Sequence, residues 1–164
     1  MDCKKLVTIS SLILLFVCNL FAQDIPTGLK LIKSEKFNRA EKYFSSLLNT
    51  KFKAEACFNL GEIYFQKEDV DSARIFYTKG IEANGDFALN YAGMVRLNVL
   101  DGNDAEANKN ELRALDLADD KNSSKVYTVL SEAYSRIKNY DKALDILNQA
   151  IENIEESDDV RGST

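Results

Sequence analysis

From about Ile25 onward, apolar residues recur at the spacing of helix faces and not at the alternation of strands. Phe58, Ile63 and Tyr64 mark one amphipathic stretch, and Val70, Ile75, Phe76 and Tyr77 mark a second, each about 13 residues long. Short polar turns separate such stretches at Glu35-Lys36, Glu68-Asp69, Gly102-Asn103 and Lys138-Asn139. The side chains of Asp69, Asn103 and Asn139 are suited to accept from an unpaired N–H at the start of the following helix. Turns this short force neighbouring helices to run antiparallel. Small residues at Gly61, Ala73, Gly80, Ala143 and Ala150 let the paired helices approach closely. One pair cannot bury its own apolar stripe, so the pattern predicts stacked pairs, a solenoid with a concave face.

A longer period organises these pairs. The clearest unit reads Cys57-x-x-Leu60-Gly61-x-x-Tyr64, then Ala73-x-x-x-Tyr77 and Gly80. Its second-helix alanine recurs at Ala40, Ala73, Ala107 and Ala143, at separations of 33, 34 and 36 residues. Around Ala143 the unit holds Tyr127, Leu130, Ser131, Tyr134, Leu147 and Ala150, and around Ala40 it holds Gly28, Leu31, Phe44 and Leu47. The third unit leaves two registers open. Tyr91 and Ala114 fit in phase with Val95 in the place of glycine and Glu111 in the place of the aromatic, whereas a frame on Gly93 shifts the first helix by two residues.

These units resemble the tetratricopeptide repeat family, with Cys57 in the position usually held by tryptophan. None carries the proline that often closes the motif; the single proline, Pro26, sits near the start of the first helix, where its missing N–H costs little. The resemblance implies an all-α fold, a right-handed helical-hairpin solenoid of about four repeats over residues 23–154.

The segment before it has a different character. Lys4 and Lys5 precede an apolar run from Leu6 to Phe21, which ends at Ala22-Gln23-Asp24. Residues 1–22 are expected to be a secretory signal peptide, cleaved near Ala22 or Gln23, which directs the protein to the periplasm or the exterior. An uncleaved membrane anchor is the alternative, and an acylated Cys18 a third, disfavoured by Phe16-Val17 before it. Cleavage leaves Cys57 as the one cysteine and so no internal disulfide; its apolar helical setting predicts a buried, inert thiol. Residues 155–164 are expected to form a disordered acidic tail.

Composition narrows the chemistry. With 45% hydrophobic and 10% aromatic residues the chain can form a core. Loss of Asp2, Lys4 and Lys5 moves the formal charge from −5 to −6, and no basic cluster interleaved with aromatics offers itself to nucleic acid or an anionic membrane. Histidine is absent, which removes the commonest general base and transition-metal ligand. No phosphate loop, nucleophile elbow or paired cysteine set occurs. Asp101-Gly102-Asn103-Asp104 lacks the glycine placement and twelfth-position acid of a calcium loop, Leu112 standing there. No enzyme, cofactor, metal or small-molecule substrate is expected.

Binding remains. In the resembled family the first helix of each pair lines the groove, and the corresponding positions are Leu29 and Lys33; Glu55, Phe58, Glu62, Phe65 and Gln66; Leu89, Ala92 and Arg96; Lys125, Thr128, Glu132 and Arg136. Phe58 and Glu62 stand where some members carry the Lys and Asn of a carboxylate clamp, so an extended peptide or partner helix with an apolar anchor is the expected ligand. Phe58 and Phe65 equally suit a core shared between adjacent repeats. The expected function is an exported interaction adaptor; the alternative is a structural or assembly domain of a larger cell-envelope protein. In that alternative the face of the last helix, Tyr140 to Ile154, associates with itself or another protein through Ile146, Ile151 and Ile154.

Overall fold

The computed structural model describes residues 24–119 and 122–162, with the side chains of the last helix described as far as Asn153. Residues 1–22, where the signal peptide is expected, lie outside this range. The described residues form eight helices: α1 Ile25–Lys33, α2 Phe37–Ser46, α3 Lys53–Gln66, α4 Val70–Ala83, α5 Ala88–Leu100, α6 Asp104–Asp116, α7 Ser123–Arg136 and α8 Tyr140–Gly162. Successive helices pack as four pairs, and the first helices α3, α5 and α7 also contact one another in sequence order. The last helix continues past Ile154 to Gly162, so helical backbone occupies most of the segment expected to be a disordered tail.

The turn inside each pair has one geometry. Glu35, Glu68, Gly102 and Lys138 take positive φ angles of 56°, 62°, 69° and 63°. The amide of the following residue, Lys36, Asp69, Asn103 or Asn139, donates to the carbonyl of Leu31, Tyr64, Asn98 or Tyr134 at 2.9–3.0 Å. This is the left-handed C-terminal cap that satisfies the last orphan carbonyls of a helix. The same residue then opens the next helix: Asp69 accepts from the Ser72 amide at 3.0 Å, Asn103 from Glu106 at 3.4 Å and Asn139 from Lys142 at 3.2 Å. Hydrogen bonds from the Ser72 side chain and then from its amide hold the Asp69 carboxyl below its usual range. Closing one helix and starting the next within two residues is what folds each pair back on itself.

The repeating turn also sets the register of the third pair. Gly102 and the buried Ala107 lie in phase with Glu68 and Ala73, which places Val95 opposite Gly61 and leaves Gly93 two residues ahead. Gly93 serves the preceding pair. A Cβ at Gly93 would come within 2.5 Å of the Tyr77 ring, and one at Gly61 within 2.3 Å. The ring of Tyr77 on α4 is thus wedged between the bare backbones of α3 and α5, and it is wholly buried. Gly28 gives Phe44 of α2 the same close approach, 2.3 Å from a Cβ that is not there. The core runs in two clusters, one around Phe44, Leu47, Leu60 and Ile63, the other from Phe58 and Tyr77 through α5 to Tyr134 and Ile146. Cys57 is buried, as its setting predicts, and burial pushes its thiol pKa up.

Polar contacts join consecutive pairs. Tyr64 donates to Glu41 at 2.8 Å, and Lys67 contacts the same carboxylate at 2.5 Å. Arg74 reaches Asn98 at 3.2 Å and Asp101 at 2.6 Å. Glu111, which replaces the aromatic in α6, is buried, accepts from the Tyr134 hydroxyl and pairs with Lys142 at 2.8 Å. Burial first, and then this carboxylate, push the Tyr134 pKa up. Burial works against the Lys142 charge, but the contact with Glu111 outweighs it and holds the ammonium above its ordinary pKa.

Two predictions follow from these contacts. Open space surrounds the Cβ position of Gly102, so Gly102→Ala should cost about 1 kcal/mol through backbone strain alone, read as a lower urea midpoint with an unchanged slope. The hydrogen bonds from Lys67 and then Tyr64 hold the Glu41 carboxyl below its ordinary pKa of 4.5. Its stabilisation is therefore fully present above that value and is lost as pH falls through the lower folded-state pKa. In thermal melts across this acid range, Glu41→Gln should show a shallower decline than the unaltered chain.

Candidate functional site

Because the first helices stand side by side, residues one helical turn apart on α3, α5 and α7 meet across a common cleft. It has a volume of about 490 Å³ and is lined by Glu62, Phe65 and Gln66 of α3, Arg96 of α5, and Glu132, Ser135 and Arg136 of α7. Six of these seven, all but Ser135, belong to the set of groove residues expected from sequence.

The floor of the cleft is ionic. Arg96 is 4% exposed and places one guanidinium nitrogen 2.7 Å from Glu62 and the other 3.1 Å from Glu132. The same Glu62 oxygen accepts from the Tyr77 hydroxyl at 2.5 Å. Burial, and then the Glu62 charge, push the Tyr77 pKa far up, so its phenol stays a donor. Tyr77 links the wedge between α3 and α5 to the cleft floor. A planar, forked cation suits this place because it serves two carboxylates from neighbouring helices at once.

The Phe65 ring forms the apolar part of the cleft. The Arg96 guanidinium lies 4.7 Å from its centroid and that of Arg136 lies 4.8 Å away, both within range of cation–π attraction. Arg96 is held by its two carboxylates. Arg136 is exposed at the rim, and Gln66 beside it is exposed as well.

The remaining expected groove residues are not brought together here. Phe58 is buried, with its ring 6.1 Å from that of Tyr77 and 6.4 Å from that of Phe87; it belongs to the core. Leu89 and Ala92 are buried in the same cluster. Glu55 is half-buried, and its carbonyl accepts from the Asn59 side chain at 2.7 Å. Leu29, Lys33, Lys125 and Thr128 are exposed outside the cleft, and the Thr128 hydroxyl is turned back onto the Ser124 carbonyl at 2.7 Å. Sequence reasoning missed Ser135 and the participation of Tyr77. The Tyr77 contact had a readable signal, since the aromatic four residues after the repeat alanine is set against the first helix of its own pair at both Phe44 and Tyr77.

A second depression, of about 510 Å³, lies between Tyr91 of α5 and Leu112 and Arg113 of α6. Its cations are already engaged, Arg113 2.8 Å from Asp116 and 3.3 Å from Asp86, and Lys109 3.3 Å from Glu106. Among the described residues no cluster of His, Cys, Asp and Glu could hold a metal ion, and no helix is long and apolar enough to cross a membrane.

Comparison with known proteins agrees with this architecture. The tetratricopeptide repeat model matches residues 54–87 and 124–156, which are the second and fourth helix pairs. These two segments match the repeat model, and the same turn geometry recurs in the other two pairs. Among solved structures, the crystal structure of MamA is similar in fold, with a TM-score of 0.55 at 18% identity over 87% of this chain and 85% of that chain. No curated protein matches the chain.

The ionic floor yields an asymmetric prediction. Arg96→Ala leaves the nearly buried Glu62 without its cation and should cost about 3 kcal/mol of unfolding free energy. Glu132, with 62% of its side chain exposed, should cost under about 1 kcal/mol when replaced by Ala. Chemical denaturation of the two variants side by side measures the difference.

Proposed function

We propose that this protein is an exported interaction adaptor that holds a peptide or a partner's helix in the cleft formed by α3, α5 and α7. The observation that carries the reading is the arrangement at Phe65: an aromatic ring at the base of a cleft, with the guanidinium of the fixed Arg96 4.7 Å and that of the exposed Arg136 4.8 Å from its centroid. An apolar ligand side chain placed on Phe65 would be desolvated, while Arg136 and Gln66 at the rim offer N–H donors to the ligand's carbonyls or carboxylates. The tetratricopeptide architecture supports the same reading, because stacked first helices provide a continuous surface for another polypeptide. Export rests on the sequence of residues 1–22, with Lys4 and Lys5, the apolar run and Ala22 in order, and it places the adaptor in the periplasm or outside the cell.

Affinity capture from the cell envelope with the tagged chain, followed by mass spectrometry, tests both parts. Arg136→Glu and Phe65→Ala should each weaken recovery of a stoichiometric partner by about tenfold or more, with circular dichroism and melting used to check that the fold persists. Equal capture by all three proteins would remove the cleft from the binding site. The recovered protein should begin at Gln23 or Asp24; material beginning at Met1 would overturn cleavage of the leader.

A further inference from the structure

The second helix of every pair turns the same surface towards the pair that follows. Nine residues after each left-handed turn residue stand Phe44, Tyr77, Glu111 and Leu147. The first three are 0%, 0% and 6% exposed, whereas Leu147 of α8 is 44% exposed. Tyr140, Leu144 and Ile151 share its face at 63%, 58% and 54%. The sequence spacings of four, three and four residues align these side chains as the seam of a two-helix coiled coil. Ile146, expected on this open face, is instead fully buried, because it points inward into the cluster with Tyr134 and Val126. Ile151 is exposed as expected, and the side chain of Ile154 lies outside the described residues.

The opposite end of the solenoid does not match this seam. In α3 the residues that cover the preceding pair include Leu60 and Ile63. The same positions of α1 are Thr27 and Lys30, both exposed. Head-to-tail stacking of copies would set Thr27 and Lys30, where interior pairs have Leu60 and Ile63, against Leu144 and Leu147, and so bury polar groups against an apolar stripe. A two-fold contact does not have this cost, since it sets the stripe against itself and closes after two copies.

We propose that the α8 stripe docks a second copy of this chain, with the two α8 helices antiparallel. This inference is independent of the cleft. Leu144 then packs against the partner's Leu147, and Tyr140 against the partner's Ile151. Asp141 falls beside the partner's Asn148 and Ala143 beside the partner's Ala150, so no like charges face each other along the seam.

The test is the solution mass of protein purified from cells that express the full 164-residue chain, measured by light scattering at micromolar concentration. The unaltered protein should have the mass of two copies. Leu147→Glu, Tyr140→Glu and Ile151→Lys should each have the mass of one, with unchanged helical circular dichroism. Tyr140→Glu combined with Ile151→Lys in one chain should restore the two-copy mass, because the antiparallel arrangement brings the new charges together. Four results would overturn the proposal: a single-copy mass for the unaltered chain; a mass that keeps growing with concentration; a two-copy mass indifferent to the substitutions; or failure of the double variant to recover.

Discussion

Burial of one second-helix side chain against the following pair, a ring in the first two pairs, governs how this chain stacks. The side chain nine residues beyond each turn projects from a second helix towards two first helices, its own and the next. Tyr77 can occupy that space only because Gly61 and Gly93 withdraw a Cβ from either side of it. A ring enclosed from both sides is an interaction that no single pair can complete, so each pair needs the next for its own core. The order and closeness of α3, α4 and α5 follow from this requirement.

The third pair meets the same requirement with different chemistry. Val95 fills the gap that glycine leaves in the first two pairs, and Glu111 takes the place of the ring. A buried carboxylate cannot stand there alone, and Tyr134 and Lys142 of the fourth pair supply its donors. The joint between the third and fourth pairs is therefore polar and directional, whereas that between the second and third is a close-packed wedge. Tyr77 carries the wedge into the cleft through its bond to Glu62, so packing and ligand surface share one side chain. Arg96 is spent on the cleft floor beside the buried Phe65, and the free recognition groups lie at the rim, on Gln66 and Arg136.

The two ends of the solenoid differ for the same reason that the interior is continuous. Each second helix is built to be covered and each first helix to cover. At the start, Thr27 and Lys30 make the first helix a polar surface that tolerates water. At the end, Tyr140, Leu144, Leu147 and Ile151 leave the last helix with the apolar character of an interior one.

The sequence by itself determined the helices, their pairing and the period, because these depend on neighbours three to five residues apart. The apolar spacing, the turn pairs from Glu35-Lys36 to Lys138-Asn139 and the caps at Asp69, Asn103 and Asn139 were all legible. The alanine series was legible too, since its steps equal those of the turns. What only the tertiary structure decided was which face of each first helix remains free. Phe58 and Phe65 look alike in the sequence and both are buried in one core cluster, yet only Phe65 also lines the cleft. Arg96 reads as a groove cation and proves to be a buried tie between Glu62 and Glu132. Gly93 reads as a possible shift of register and proves to be room for a ring on the preceding pair. Ile146 and Ile151 follow the same apolar pattern, and only one of them points inward. Each of these outcomes depends on the rotation of one helix about its axis relative to residues about a full repeat away, and that rotation is set by packing across pairs, which local spacing does not encode.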